Sequence, residues 1–211
     1  MIHAYDNQYL YDAMRNLGEA MDYAANYCGR GMDEFLGLFI GTGYAEQFGA
    51  GVPKIVSGLS GTELVMDVLT KSGDEDTFPA PGTSYDRSPQ YWCGWVLAYY
   101  QWSTGKSFKE IRKHVSMYDI ELLYPALHEA SEDRFVDAIN NRIQRENLPT
   151  RLQIQRRLLG YSQRMLAEKA GMNLRTLQQY EIRAKDINHA AIETLLSLSK
   201  ALGCQMEDLL E

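Results

Sequence analysis

Residues 160–181, GYSQRMLAEKAGMNLRTLQQYE, constrain the fold of this chain more than any other stretch. Ser162 is suited to cap a short helix, and Gly171 can take the left-handed conformation that ends it. Asn173 is suited to cap a second helix directly after that turn. The inward-facing residues of the two helices would be Leu166, Ala167, Ala170, Leu177 and Tyr180. Because Ala167 is small, the stretch predicts two short helices that cross closely.

Two helices joined by a glycine-containing turn form a helix-turn-helix. The sequence SQRMLAEKAGMNLRTLQQYE resembles the helix-turn-helix of the phage-repressor and Cro family, also called XRE-type regulators. The preceding RLQIQRRLLG corresponds to the first helix of that family, and the following ETLLSLSKALGCQMEDLL corresponds to its fourth and fifth helices. The resemblance covers residues 149–211, under a third of the chain. It implies a five-helix, lambda-repressor-like DNA-binding domain.

The resemblance also implies which residues read DNA. The second helix of the pair, at about 173–182, would lie in the major groove with its N-terminal end toward the base edges. Leu174, Arg175 and Gln179 occupy the usual reading positions, where arginine suits guanine and glutamine suits adenine. Leu174 departs from the polar residue common there. It either contacts a thymine methyl group or is an exposed or partner-contacting leucine. Gln178 contacts either the DNA backbone or a flanking base.

The neighbouring positions are expected to fix the domain on the duplex. In the family, the position of Gln163 contacts a phosphate or braces a reading side chain. Arg164 and Lys185 are expected phosphate contacts, with a solvated surface charge as the alternative for each. The complete set of expected DNA-binding residues is Gln163, Arg164, Asn173, Leu174, Arg175, Thr176, Gln178, Gln179 and Lys185.

The resemblance to this family bears on two further features. Arg156 and Glu181 match family positions that form an ion pair between the first and third helices, so we expect a structural pair. The connection IRAKDINH departs from the common short glycine-containing turn. Asp186 in this connection would be unfavourable beside a phosphate, and Asn188 is suited to cap the fourth helix.

The charge distribution is uneven. The chain has a formal net charge of −7, which is unusual for a DNA-binding protein. Residues 1–148 hold 12 basic and 21 acidic side chains, a balance of −9, whereas residues 149–211 hold 9 and 7, a balance of +2. Residues 149–187 alone hold 8 basic and 3 acidic side chains, a balance of +5. A basic segment on an acidic body favours nucleic-acid binding by that segment, and the alternative is ordinary variation between segments.

The first 145 residues predict a helical domain. One helix face would carry Leu10, Met14, Leu17, Met21, Ala24 and Cys28, which are spaced by three and four residues. The sequences SGTE at 60–63 and SFKE at 107–110 have the pattern of a capping box. Ser88 and Pro89 have the pattern of an N-cap and a first helical residue.

Composition places two breaks in the chain. Residues 72–87 are acidic and rich in proline and glycine, which predicts an exposed loop. RENLPT at 145–150 is the expected domain boundary. We therefore predict an all-α protein, in which a helical domain at 1–145 precedes the DNA-binding domain at 149–211.

No catalytic or metal-binding pattern is present in the sequence. Cys28, Cys93 and Cys204 are far apart and form no C-x-x-C pair, which argues against a disulfide framework and against zinc. The four histidines form no metal-binding pair. The glycine-rich stretch GTGYAEQFGAGVPKIVSG at 41–58 is expected to turn or break the chain, and it lacks the end of a P-loop. We expect no metal, no cofactor and no enzymatic activity.

The sequence also indicates where the protein acts. The N-terminal MIHAYDNQYLYDAM lacks the basic start and apolar run of a signal peptide. The longest apolar run, FLGLFIG, is far shorter than the roughly 20 residues that a membrane span needs. We expect a cytoplasmic protein that does not bind membranes.

The function of residues 1–145 is less constrained. Aromatic residues are dense between 91 and 102, namely Tyr91, Trp92, Trp95, Tyr99, Tyr100 and Trp102. At helical spacing such residues are typical of a core or an interface, and a ligand pocket is the alternative. The expected partners are double-stranded DNA and a second copy of the chain.

Three classes of function follow. The first is a transcriptional regulator, a repressor whose N-terminal domain dimerises or senses a signal. The second is an antitoxin, whose N-terminal domain binds a toxin while the C-terminal domain autoregulates the operon. An enzyme with a DNA-binding appendage is the third.

Overall fold

The computed structural model describes residues 3–73, 77–82 and 87–211, without the side chains of residues 146 and 147. The structure is 69% helical, and its described residues contain no strand, which confirms the all-α fold class. Residues 74–76 and 83–86 of the predicted exposed loop lie outside the described part. Of its remainder, residues 77–82 are mostly exposed and have no regular secondary structure.

The chain divides into two compact units, an N-terminal unit, Met1–Asn140, and a C-terminal unit, Asn141–Glu211. The described residues form α1 (Leu10–Asn26), α2 (Met32–Gly41), α3 (Tyr44–Gly49), α4 (Gly61–Ser72), α5 (Pro89–Thr104), α6 (Phe108–Ile111), α7 (Met117–Glu121), α8 (Tyr124–Leu127), α9 (Glu132–Asn147), α10 (Arg151–Leu158), α11 (Gln163–Lys169), α12 (Leu174–Glu181) and α13 (Ile192–Leu202). The division falls within α9, and the domain boundary at 145–150 stays a prediction.

The centre of the N-terminal unit is the crossing of α1 with α5 and α4. The apolar face predicted for α1 is buried at Met14, Leu17, Met21 and Ala24. A Cβ atom at Gly94 of α5 would overlap the backbone carbonyl of Leu17, and one at Gly61 of α4 would overlap that of Asn16. The two helices therefore approach the backbone of α1 at distances that only glycine allows.

Helix starts in this unit follow the sequence patterns. The Ser60 N–H donates to Glu63 Oε2 at 2.8 Å, and the Glu63 N–H donates to Ser60 Oγ at 3.2 Å. The same reciprocal bonds join Ser107 and Glu110, so both predicted capping boxes are confirmed. The backbone N–H groups of the serines lower the pKa of the two glutamates. Ser88 caps α5, as predicted.

The aromatic residues of α5 are divided between core and surface. Tyr91, Tyr100 and Trp102 are at most 9% exposed and belong to the core. Trp92 and Trp95 are only partly buried. Half of the aromatic run is therefore core, and Trp92 and Trp95 border a cavity that is described below.

The C-terminal unit follows the five-helix expectation, with one difference. Helices α10 to α13 are α-helical, but the fifth element is a 3-10 helix, Met206–Leu209. The core consists of Leu152, Leu166, Ala167, Ala170, Leu177, Tyr180, Ile187, Leu195, Leu198, Leu202 and Leu209. All five residues predicted to face inward from α11 and α12 belong to it.

The expected cap of the fourth helix is wrong. The N-cap of α13 is Ala191, which makes no side-chain cap, whereas Asn188 lies in a separate 3-10 turn, Ile187–His189. Asp186 caps that turn by accepting from the Asn188 N–H at 2.8 Å. The Asn188 side chain instead accepts from the backbone N–H of Glu211 at 3.0 Å. A tertiary contact has replaced the local cap that the sequence suggested.

No helix among the described residues is long and apolar enough to cross a membrane. The same residues contain no group of three or more histidine, cysteine or carboxylate side chains that could hold a metal ion.

Candidate nucleic-acid interface

The turn between α11 and α12 forms as the local chemistry dictates. Ser162 Oγ accepts from the Met165 N–H at 3.1 Å, which fixes the start of α11. Gly171 has φ of 63°, the left-handed conformation expected after that helix. Asn173 Oδ1 then accepts from the Arg175 N–H at 2.8 Å and caps α12. The predicted pair of helices and the turn between them are confirmed.

Buried side chains fix the orientation of α12. Leu177 is fully buried, Tyr180 is 4% exposed, and both pack in the same core as Leu166 and Ala167 of α11. Since these residues occupy one side of α12, the side chains between them face outward. The outward face is therefore determined by packing rather than by local preference.

The expected reading residues occupy this outward face to different degrees. Arg175 and Gln178 are exposed, while Thr176 and Gln179 are partly buried. Leu174 is 37% exposed, so the apolar departure lies at the surface of the first turn. No described acidic side chain lies within 4 Å of the Arg175 guanidinium group, which leaves all its donors for a ligand.

A buried ion pair anchors the end of α12 to α10. Arg156 Nε contacts Glu181 Oε1 at 2.5 Å, and Arg156 Nη2 contacts Glu181 Oε2 at 2.9 Å. Arg156 Nη1 also donates to the Tyr161 carbonyl at 2.7 Å. Arg156 is 8% exposed and Glu181 is 4% exposed. The hydrogen bonds with Glu181 raise the pKa of Arg156 above its ordinary value.

Gln163 links this pair to the outward face of α12. Its Nε2 donates to Glu181 Oε2 at 2.8 Å, and its Oε1 accepts from Gln178 Nε2 at 3.3 Å. Gln163 therefore braces an exposed side chain of α12. The resemblance gave bracing as one of two roles for this position, but it did not identify Gln178 as the residue braced.

The two basic residues expected at phosphates have different surroundings. Arg164 Nε lies 3.1 Å from Glu168 Oε1, and both side chains are well exposed, at 82% and 67%. Lys185 Nζ lies 5.5 Å from the centre of the Tyr180 ring, and no described carboxylate lies within 4 Å of it. Lys185 can therefore offer its full charge to a phosphate, whereas Arg164 shares its charge with Glu168.

In the connection after α12, the Asp186 carboxylate has partners within the same turn. The Asp186 carboxylate accepts from the Asn188 N–H and lies 2.8 Å from His189 Nδ1. The Asn188 N–H, the larger cause, and His189 lower the pKa of Asp186. Asp186 is thus engaged by its own turn.

Arg183 is the residue of this connection that sequence reasoning missed. Its φ is 56°, the left-handed region usually taken by glycine. Its Nη2 lies 2.7 Å from Glu211 Oε2, and its Nη1 donates to the Leu148 carbonyl at 2.7 Å. The sequence signal for Arg183 is that the connection IRAKDINH departs from the common short glycine-containing turn.

Comparison with known families agrees with this geometry. Residues 152–209 match the model of a helix-turn-helix family, the XRE-type, phage-repressor and Cro-like domain. The match supports a DNA-binding transcription regulator of the XRE type and leaves most of the chain unassigned. Comparison with curated proteins and with solved structures gives no match.

Proposed function

We propose that this protein is a transcriptional repressor that binds a specific operator through α12. The observation that carries the proposal is the exposed Arg175 on a helix whose other side is locked into a core and whose end is fixed by Arg156 and Glu181. A helix that is packed on one side and carries an exposed arginine in its first turn suits bidentate recognition of guanine.

Each expected DNA-binding residue has a role in this proposal. Leu174, Arg175 and Gln179 contact base edges, and Gln178 contacts the backbone or a flanking base. Arg164 and Lys185 contact phosphates, Gln163 holds Gln178 in place, and Asn173 and Thr176 lie at the start of the reading helix. Direct base contacts supply specificity, whereas phosphate contacts supply affinity and orientation.

The working species in this proposal is a homodimer. One helix-turn-helix reads one half-site, and a two-fold dimer reads two half-sites roughly 34–36 Å apart, about one turn of the duplex. Residues 1–148, with their balance of −9, are repelled by DNA and do not contribute to its binding. Their surface is then available for dimerisation, a ligand or a protein partner.

The test of specificity is enrichment of binding sites from random duplexes with the full chain. The enriched duplex should bind at least about 10³-fold more tightly than a scrambled duplex of the same composition at physiological salt. A symmetric site with half-site centres one turn apart is expected. Equal affinity for both duplexes would reject sequence-specific binding.

Assays in cells distinguish the repressor function from the antitoxin alternative. A reporter promoter that carries the enriched site should be silenced by the full chain and by no variant that has lost specific binding. A toxin encoded beside this protein provides the second assay. If residues 1–145, without the C-terminal domain, rescue cell growth from that toxin, the antitoxin assignment replaces the repressor assignment.

A further inference from the structure

A cavity of about 310 Å³ opens on the N-terminal unit between α5, α8 and α9. Tyr91, Trp92 and Trp95 of α5 line one side, and Tyr124 of α8 lines another. The Trp92 and Tyr124 rings meet edge to face with their centres 5.5 Å apart, so the walls are well packed. The volume is at the lower end of the range for small-ligand sites.

A cation already lies against these walls. The Arg87 guanidinium carbon is 4.8 Å from the centre of the Tyr91 ring and 5.3 Å from that of Trp95. No described carboxylate lies within 4 Å of this guanidinium group. The ring faces of Tyr91 and Trp95, which carry partial negative charge, stabilise this cation.

One carboxylate borders the same cavity. Glu132, at the start of α9, is the one acidic residue among the described residues that line it. Its Oε1 accepts from Trp95 Nε1 at 2.8 Å, which fixes the carboxylate beside the indole. The second oxygen of Glu132 keeps its capacity to accept from a donor in the cavity.

We infer that this cavity binds a planar organic cation of the guanidinium class, with Arg87 as the internal competitor that lies on the same ring faces. Aromatic faces attract the charge, and Glu132 accepts from the N–H groups of the cation. The cation is either a free small molecule or an arginine side chain of another protein. The inference does not depend on DNA binding, because its residues all belong to the N-terminal unit.

The three tryptophans provide the measurement. Labelling of the indole nitrogens with ¹⁵N gives one NMR signal for each of Trp92, Trp95 and Trp102, which single tryptophan-to-phenylalanine variants assign. Trp102 Nε1 donates to the Tyr5 carbonyl at 2.9 Å, and Trp102 does not line the cavity, so its signal is an internal control.

The probes are ethylguanidinium, its neutral isostere ethylurea, and a capped Gly-Arg-Gly peptide. Ethylguanidinium should shift the Trp95 signal saturably in the full chain and leave the Trp102 signal in place, and ethylurea should shift neither. The peptide represents a protein source of the same chemistry. If the peptide saturates at a lower concentration than ethylguanidinium, an arginine of a partner is favoured, and the reverse order favours a small molecule.

Three variants test the competition. Arg87→Ala should lower the half-saturating concentration of ethylguanidinium about threefold or more, because the internal cation no longer occupies the ring faces. Arg134→Ala removes the same charge from an exposed position on α9 outside the cavity and should leave that concentration unchanged. Glu132→Gln keeps an acceptor for the Trp95 indole and should raise the concentration by about the same factor.

Two results would overturn the inference. One is the absence of a saturable Trp95 shift in Arg87→Ala, in which the rings are free of the competing arginine. The other is an equal shift with ethylurea, since recognition would then not depend on charge. Arg87 is exposed, so a folding defect is not expected to obscure either result.

Discussion

The Glu181 carboxylate accepts three hydrogen bonds, two from Arg156 and one from Gln163. It is 4% exposed, so water cannot replace these partners. Replacement of Glu181 by alanine would leave the Arg156 charge buried and unpaired, which typically costs about 3–5 kcal/mol. We expect Glu181→Ala to lower the stability of the C-terminal unit by about this amount or to unfold it.

The three tryptophans also make this prediction measurable. All of them lie in the N-terminal unit, so tryptophan fluorescence follows that unit alone while circular dichroism follows both. Glu181→Ala should lower the denaturant midpoint of part of the dichroism signal and leave the fluorescence transition in place. Glu168→Ala, which removes an exposed pair with Arg164, should change stability by at most about 0.5 kcal/mol.

Lys185 is expected to contribute to affinity for DNA but not to sequence specificity. Its ammonium group is exposed, without a described carboxylate within ion-pair distance, and is expected to contact a phosphate. Lys185→Ala should weaken binding to the enriched and scrambled duplexes by the same factor. It should also reduce the slope of log affinity against log salt concentration by about 1. An unchanged slope would remove Lys185 from the backbone contacts.

Residues whose conformation is set locally could be predicted from the sequence. Ser162, Gly171 and Asn173 act through their own backbone neighbours, so their roles follow from residue type and spacing. Asn188 could not be predicted in this way. Its side chain contacts Glu211, 23 positions along the chain, and that contact overrides the helix-capping preference of asparagine.

At the scale of elements, glycine positions distinguish helix crossings from free helix surfaces. A methyl group at Gly94 would meet the backbone of Leu17 in α1, which cannot move aside without separating the helices. Gly94→Ala should therefore destabilise the N-terminal unit by about 1–3 kcal/mol or more. The loss should appear in the tryptophan fluorescence transition, since α5 carries all three tryptophans.

Gly41 is the matched control. It is the last residue of α2, and nothing lies within 4 Å of a Cβ atom built there. Gly41→Ala should be neutral or stabilise by up to about 1 kcal/mol, because alanine restricts the unfolded chain. A loss of stability in Gly41→Ala as large as that in Gly94→Ala would show that close packing of α5 on α1 is not the cause.

Individual helices could be predicted where apolar spacing or a capping pattern marks them in the sequence. The apolar spacing gave α1, and the capping patterns gave the starts of α4, α5 and α6. The glycine-rich segment after α2 was expected only to turn or break the chain. It forms α3 and a single π-helical turn, Lys54–Gly58, which depend on contacts with α1 and α2 that no local pattern encodes.

At the scale of the whole molecule, the sequence indicated a DNA-binding domain more clearly than it indicated the N-terminal unit. The helix-turn-helix is compact in sequence, so its helices, caps and core residues fall within a short stretch. The main packing in the N-terminal unit joins α1 to α5, which are separated by some 60 residues of intervening chain. The cavity beside Trp92 and Trp95 depends on such distant contacts, so the aromatic run alone could not distinguish a core from a pocket.

Binding of Arg175→Ala to single-base variants of the enriched site measures whether α12 reads base edges through Arg175. Arg175→Ala should weaken the free energy of binding to the enriched duplex by about 1–3 kcal/mol. This weakening should disappear when one particular base pair in each half-site is already changed. Preferences at the other base pairs should persist. If Arg175→Ala keeps the full preference at every position, or weakens the enriched and scrambled duplexes equally, then Arg175 does not read a base and the proposed orientation of α12 on DNA is wrong.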